Sequence, residues 1–266
     1  MVLEDRETRL TGAELELAWS ALGHQDFPLV LELRSHGATM EEHAQLLDHA
    51  RATLALRGLW RDGGPTVGLA RSLAALATPD TELDVRGRGP GGRWRALVAG
   101  RGSTTVLAVQ REGTLTLTPV SAGSMPAAVL STLPDARPGT GQLNAVSSEL
   151  HRSVERAGND PRQLVEALRS LGTPDADARA LAAAFPTAHG SAQIGAAARI
   201  GGHRRRSSRV VALLDTDLGR YVVTERESPD RVRWTTYAPA TPVRVHQLVA
   251  ELHSRASTGA PGGLLR

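Results

Sequence analysis

The chain has 266 residues, 41% hydrophobic and 22% charged, which suits a substantial folded core and excludes a disordered composition. The absence of cysteine excludes disulfides, thiolate catalysis and cysteine zinc sites, and no run approaches the ~18 apolar residues of a membrane span. All 31 basic residues are arginine, so the calculated pI of 10.3 overstates a net charge of only +3, which is too small to require a polyanionic partner.

At the amino terminus Met1 to Glu7 lacks the basic and apolar regions of a secretory signal, and the expectation is a cytoplasmic protein. Thr11-Gly-Ala-Glu14 is a capping box, and Leu15, Ala18, Trp19 and Leu22 then follow at helical spacing until Gly23. Phe27 to Leu33 reads as a strand beginning after its proline. Thr39 to Glu42 opens a second helix through about Arg57, ended by Gly58, and a third lies near 66–77. Four strand-like pieces follow, around 83–86, 96–99, 106–109 and 115–118, and after Pro119 a short helix ends at Leu133.

Pro134 to Gly141 concentrates proline and glycine and marks the candidate boundary between halves. A helix near 143–156 precedes Asp160-Pro161, an N-cap with a first-turn proline, whose helix carries Leu164, Leu168 and Leu171 and closes at Gly172. Another helix ends near Phe185-Pro186. Strands around 194–200, 210–214, 221–223 and 234–237 follow, then a helix ending near Leu252 and a glycine- and proline-rich tail from Ser254 that is expected to fray. Short hairpin links at Arg111 to Gly113 and Asp215 to Gly219 make the strands antiparallel neighbours. The expected fold is α+β, a central antiparallel sheet with a quasi-two-fold repeat of four strands and a helix, flanked by helices. It is a single domain made of pseudo-repeats over about 10–133 and 142–253.

Chemistry-bearing motifs are absent. The glycine loop from Gly87 to Gly92 leads into a strand, whereas a phosphate cradle needs a helix N-terminus behind it. Asp215-Thr-Asp217-Leu-Gly219 lacks the further oxygen ligands of a calcium loop and reads as a turn. The nine histidines show no metal spacing, and neither a Gly-x-Ser-x-Gly elbow nor paired carboxylates at strand ends occur, so no catalytic, metal or cofactor residues are expected. The strongest charge feature is Arg204-Arg-Arg206 with Arg209, read as a solvated loop or as an arginine patch for an acidic partner or nucleic acid.

Leu10-Thr-Gly-Ala-Glu-Leu-Glu-Leu-Ala-Trp19, Phe27-Pro-Leu-Val30 and Ser35-His-Gly37 resemble the opening of the ESX secretion-associated EspG family. Gln193-Ile-Gly195, Arg204-Arg-Arg206 and Leu214-Asp-Thr-Asp-Leu-Gly-Arg-Tyr-Val-Val223 resemble its closing block, and the order and spacing run from about Leu10 to Leu252. The resemblance implies a cytosolic chaperone of type VII secretion without cofactor. It would bind a PE–PPE-like heterodimer at the apolar tip of the helical PPE partner, keep it soluble and direct it to export. It further implies contact through the central sheet, the loop between its second and third strands and the C-terminal helical bundle, which fall here at 86–93, around Gln193–Ile194 and near 161–185. The residues so expected to meet a partner are Arg86, Arg88, Trp94, Leu168, Leu171, Phe185, Gln193, Ile194, Arg206 and Arg209. Leucines 168 and 171 with Phe185 would give apolar burial, and arginines 86, 88, 206 and 209 a hydrogen-bonding rim. Ile194 stands where the resemblance leads one to expect an aromatic. The free protein is expected to be a monomer or weak homodimer. The alternative reading is a nucleic-acid or regulatory binding module using the arginine loop.

Overall fold

The computed structural model describes residues 7–24, 26–33, 37–158 and 160–259. Among them the chain forms an α+β fold with an eleven-stranded antiparallel sheet, a separate two-stranded hairpin and eight α-helices. It divides into two compact units, one made of Met1–Arg86, Arg93–Thr132 and Ala196–Arg206, the other of Gly87–Gly92, Leu133–Gly195 and Ser207–Arg266.

The first unit begins with β1 (Thr8–Leu10) and α1 (Gly12–Ala21). The expected capping box is formed: the Glu14 backbone N–H donates to Thr11 Oγ1 at 3.3 Å and the Thr11 N–H to Glu14 Oε2 at 2.8 Å. Helix α2 (Met40–Leu56), the hairpin β2 (Trp60–Arg61) and β3 (Gly64–Pro65), and α3 (Val67–Ala77) follow. Strands β4 (Thr81–Gly89), β5 (Gly92–Arg101), β6 (Thr104–Arg111) and β7 (Thr114–Pro119) then lead to the short helix α4 (Met125–Leu130). β7 pairs with β1 on one side and β6 on the other. Register puts Leu97 opposite Ala108 and Ala108 opposite Leu117, so these side chains share one face. That face packs with Leu15, Trp19, Leu54 and Leu73 of α1, α2 and α3 into one buried cluster.

The second unit contains β8 (Leu143–Val146), α5 (Ser147–Ala157), α6 (Pro161–Ser170) and α7 (Asp175–Ala184). β9 (Ala188–Ile200) starts in this unit; its last residues and β10 (His203–Arg206) belong to the first. β11 (Val211–Thr216), β12 (Gly219–Glu227), β13 (Arg233–Pro239) and α8 (Pro242–Thr258) complete the chain. The hydrogen-bonded order is β9, β11, β12, β13, β8. Leu143, Leu164, Leu168, Leu181 and Tyr221 form the core where α5, α6 and α7 meet this part of the sheet.

Several expected elements differ. Residues 27–33 form a turn and loop instead of a strand. The side chain of Gln110 takes the place of a strand neighbour, accepting from the Glu32 N–H at 2.7 Å and donating to the Glu32 carbonyl at 2.6 Å. The piece near 143–156 is a strand before it is a helix, because Leu143 to Val146 pair with β13. The loop at 87–93 shrinks to a tight hairpin end, with β4 running to Gly89 and β5 starting at Gly92. The arginine loop is a strand: Gly201 and Gly202, both at positive φ, make the turn, and His203–Arg206 pair back onto Ala197–Ile200. The last helix continues past Leu252 to Thr258, with Ala256 buried; 260–266 lie outside the described residues. So does Ser35-His36 of the opening motif. The four-strand repeat is uneven as well, since β10 and β8 have no counterparts in the pattern read from the sequence.

The proline- and glycine-rich stretch between the halves is bonded to β12 rather than left as a linker. Arg220 exchanges backbone hydrogen bonds with it, donating to Arg137 O at 2.8 Å and accepting from Gly139 N at 2.9 Å. The Arg220 guanidinium, buried, donates to Pro134 O at 2.8 Å and grips Asp215 with two nitrogens. The Tyr221 hydroxyl donates to Thr140 O at 2.8 Å and accepts from Thr140 N at 3.2 Å. A Cβ on Gly139 would lie 2.4 Å from the Tyr221 ring.

Gly139→Ala therefore forces the fully buried Tyr221 to move and is expected to cost about 1–3 kcal/mol, read as a lower urea midpoint at unchanged slope. Burial holds His253, on α8, below the ordinary histidine range. Its folded form prefers the neutral ring, so its contribution is full above the unfolded value of 6.5 and declines as pH falls below it. The melting temperature of the native chain relative to His253→Gln should accordingly drop between pH 7.5 and 5.5.

Candidate functional site

The two faces of β9 and β11 differ in cover. Register pairs Val211 with Ile194 and Leu213 with Ala192, and all four are buried. Helix α8, which turns Val245, Val249 and Leu252 inward, packs against β11. On the opposite face Ala212 pairs with Gln193 and Leu214 with Ser191, and β12 adds Val223 opposite Ala212 and Tyr221 opposite Leu214. Here Ala212, Leu214, Val223 and Ser191 are half-buried and Gln193 is exposed. The face thus carries an apolar strip that the helices leave partly open.

The strip has defined borders within the second unit. On one side the β4–β5 hairpin end lies against β9: Arg88 Nε donates to Ser191 Oγ at 3.2 Å, and a Cβ on Gly190 would come within 3.2 Å of the Arg88 carbonyl. At the end of α7 the half-buried Phe185 stands 5.0 Å from the Tyr237 ring and 6.2 Å from Tyr221, centroid to centroid. Burial, and then the nearby Glu225 carboxylate, push the Tyr237 hydroxyl above the ordinary tyrosine range, which keeps it a neutral donor. A cavity of about 490 Å³ lies close to these strands, lined among others by Asn144, Thr173, Arg209, Glu225 and Thr236.

The residues expected from the sequence separate into accessible and inaccessible ones. Arg88, Leu171, Phe185, Gln193 and Arg209 are exposed or half-buried in the second unit. Leu168 is 0% exposed in the core of α5, α6 and α7, so it holds the bundle together and cannot reach a partner. Ile194 is also 0% exposed, because the register turns it to the face of Val211 and Leu213. Trp94, in the first unit, is 3% exposed with the Arg111 guanidinium 5.2 Å from its ring centroid, a cation–π contact within the fold. Arg86 is exposed there and donates to Leu29 O at 3.0 Å.

Arg204 and Arg206 are not a free basic patch. Alternation on β10 points both the same way, Arg204 to Glu82 with two nitrogens and Arg206 to Asp84 with two. The two carboxylates are 7% and 4% exposed in their side chains, so each buried negative charge has its own guanidinium. The hydrogen bond to Asp84 accordingly raises Arg206 above the ordinary arginine value. The open strip itself escaped the sequence reading. Val210 to Leu214 is continuously apolar, and only the pairing with β9 and β12 separates its two faces.

Arg206→Gln strands the Asp84 carboxylate and should cost about 1–3 kcal/mol of unfolding free energy. Adding Asp84→Asn should restore part of it, and a thermodynamic cycle of the four proteins measures the coupling.

Among the described residues no helix is long and apolar enough to cross a membrane, and no three histidine, aspartate or glutamate side chains cluster as a metal site would require. No curated protein sequence matches the chain. Among solved structures, the chain is similar to EspG5, the type VII secretion system chaperone of Mycobacterium tuberculosis, in its complex with the PE25-PPE41 dimer. The two are 18% identical and superpose with a TM-score of 0.76 over 98% of this chain and 99% of the other, which is agreement in fold. The model of the EspG family matches residues 11–251, and by that match the chain belongs to the EspG family.

Proposed function

We propose that this protein is a cytosolic chaperone of type VII secretion that binds a PE–PPE-like heterodimer, keeps it soluble and delivers it for export, without catalysis. The observation that carries the reading is the half-open apolar strip of Ala212, Leu214 and Val223, bordered by Gln193, Arg88 and Phe185. Membership of the EspG family and the fold shared with a PE–PPE-bound chaperone support it.

The physics of such a strip suits holding a helix tip. Removing roughly 200–300 Å2 of apolar surface from water at ~25 cal/mol per Å2 gives several kcal/mol before the cost of association. Apolar contact alone does not fix orientation. The Gln193 amide and the Arg88 guanidinium supply directional donors at the border, suited to backbone carbonyls or carboxylates at a helix end. The free protein is proposed to be a monomer or weak homodimer, one domain of two related halves. The nucleic-acid reading loses its main support, because Arg204 and Arg206 are compensated by Glu82 and Asp84.

Coexpression of the tagged chain with a PE–PPE-like pair from its source genome should yield a soluble complex of all three chains by size exclusion. Gln193→Arg, a change at an exposed position, is expected to weaken that complex at least about tenfold, since it buries an unpaired charge at the interface. Its melting temperature should stay near that of the native chain. Recovery of nucleic acid alone, or a complex indifferent to Gln193→Arg, sinks the reading.

A further inference from the structure

A second depression, of about 730 Å³, belongs entirely to the first unit. Its apolar lining comes from Leu76 and Ala77 at the end of α3, Leu97 of β5, and the loop around Phe27 to Val30. Leu76 and Leu97 are deeply buried, whereas Leu29 is 82% exposed. The Leu29 carbonyl accepts a hydrogen bond from Arg86, which ties the loop to β4.

The charged lining decides what such a depression can take. Four arginines, 86, 199, 204 and 206, face three carboxylates, Asp26, Glu82 and Asp84. Arg204 and Arg206 are spent on Glu82 and Asp84. Among the described residues Arg86 and Arg199 form no ion pair: Arg86 donates to Leu29 O at 3.0 Å and Arg199 to Gly202 O at 2.8 Å, both neutral backbone acceptors. A guanidinium carries five N–H donors, so each retains several for an incoming anion. Asp26 offsets one of the two remaining positive charges, which leaves a single net positive charge beside apolar surface. A polyphosphate chain would need more uncompensated charge, and the lining offers only two rings, Phe27 and His203, too few for a base-stacking platform.

We propose that this cavity is a docking site for a short acidic and apolar segment of a protein partner. A carboxylate of the segment binds Arg86 and Arg199, and an adjacent apolar side chain packs among Leu29 and the half-buried Phe27 and Ala77. The site lies in the first unit and does not depend on the identity of the client bound by the strip of the second.

Fluorescence anisotropy tests this with the labelled peptide acetyl-Gly-Leu-Asp-Leu-Glu-Leu-Gly-amide and its counterpart bearing Asn and Gln in place of Asp and Glu. On the native chain the acidic peptide should bind at least about tenfold more tightly, with an affinity that falls as salt rises. Combining Arg86→Gln with Arg199→Gln should erase that preference, whereas Leu29→Ser should weaken both peptides several-fold. Arg88→Gln, in the second unit, should change neither. Equal binding of the two peptides to the native chain, no binding of either, or displacement of the acidic peptide by single-stranded DNA overturns the proposal. These three outcomes need no variant to fold. An equal loss on Arg88→Gln overturns it as well.

Discussion

A β-strand has two faces, and in the second unit the helices cover them unequally. The proposed client-binding role of this protein depends on that inequality. Val211, Leu213, Ala192 and Ile194 are buried on one side, while Ala212, Leu214, Ser191 and Gln193 remain half-open on the other. Helices α5, α6 and α7 bury Tyr221, Leu143 and Ala145 in one cluster, against which Leu214 packs in part. Full cover would give a closed core with nothing to offer a partner, and no cover would expose enough apolar surface to aggregate. The partial cover leaves the strip that the proposed client would meet.

Such a strip works only if the strands beneath it keep their register, because a slip of one residue would bury Gln193 and expose Ile194. Two devices hold the register within this unit. The Arg220 guanidinium joins Asp215 to the carbonyl of Pro134, and Tyr221 closes two hydrogen bonds on Thr140. Both fasten the crossing segment 134–141 to β12, so the stretch richest in proline and glycine acts as a strap. Gly139 is needed because the ring of Tyr221 occupies the space a side chain would fill.

In the first unit the corresponding organising fact is charge compensation. Glu82 and Asp84 sit on a strand with little solvent, a costly placement for carboxylates, and the β9–β10 turn returns Arg204 and Arg206 to them. This changes the meaning of the most basic stretch in the chain. What looks like a surface patch for polyanions is internal neutralisation, and the charge available for recognition moves to Arg86 and Arg199, which lie far from the arginine triplet or at its margin in sequence.

The sequence by itself determined the α+β class, the helices at 12–21, 40–56 and 67–77, and the membership suggested by the spacing of its opening and closing blocks. Caps, helical periodicity and turn glycines are local signals, and each is legible over a few residues. Arg88, Gln193 and Phe185, expected through the resemblance, are accessible in the structure. Only the tertiary structure decided that Leu168, Ile194 and Trp94 are core, that Ala212 and Val223 face outward, and that Arg204 and Arg206 are neutralised. The physical reason is common to all of these. An apolar run such as Val210 to Leu214 carries no alternation of its own, and an arginine carries no record of its partner. Which face a side chain takes, and which carboxylate lies opposite, are set by pairing with strands many residues away.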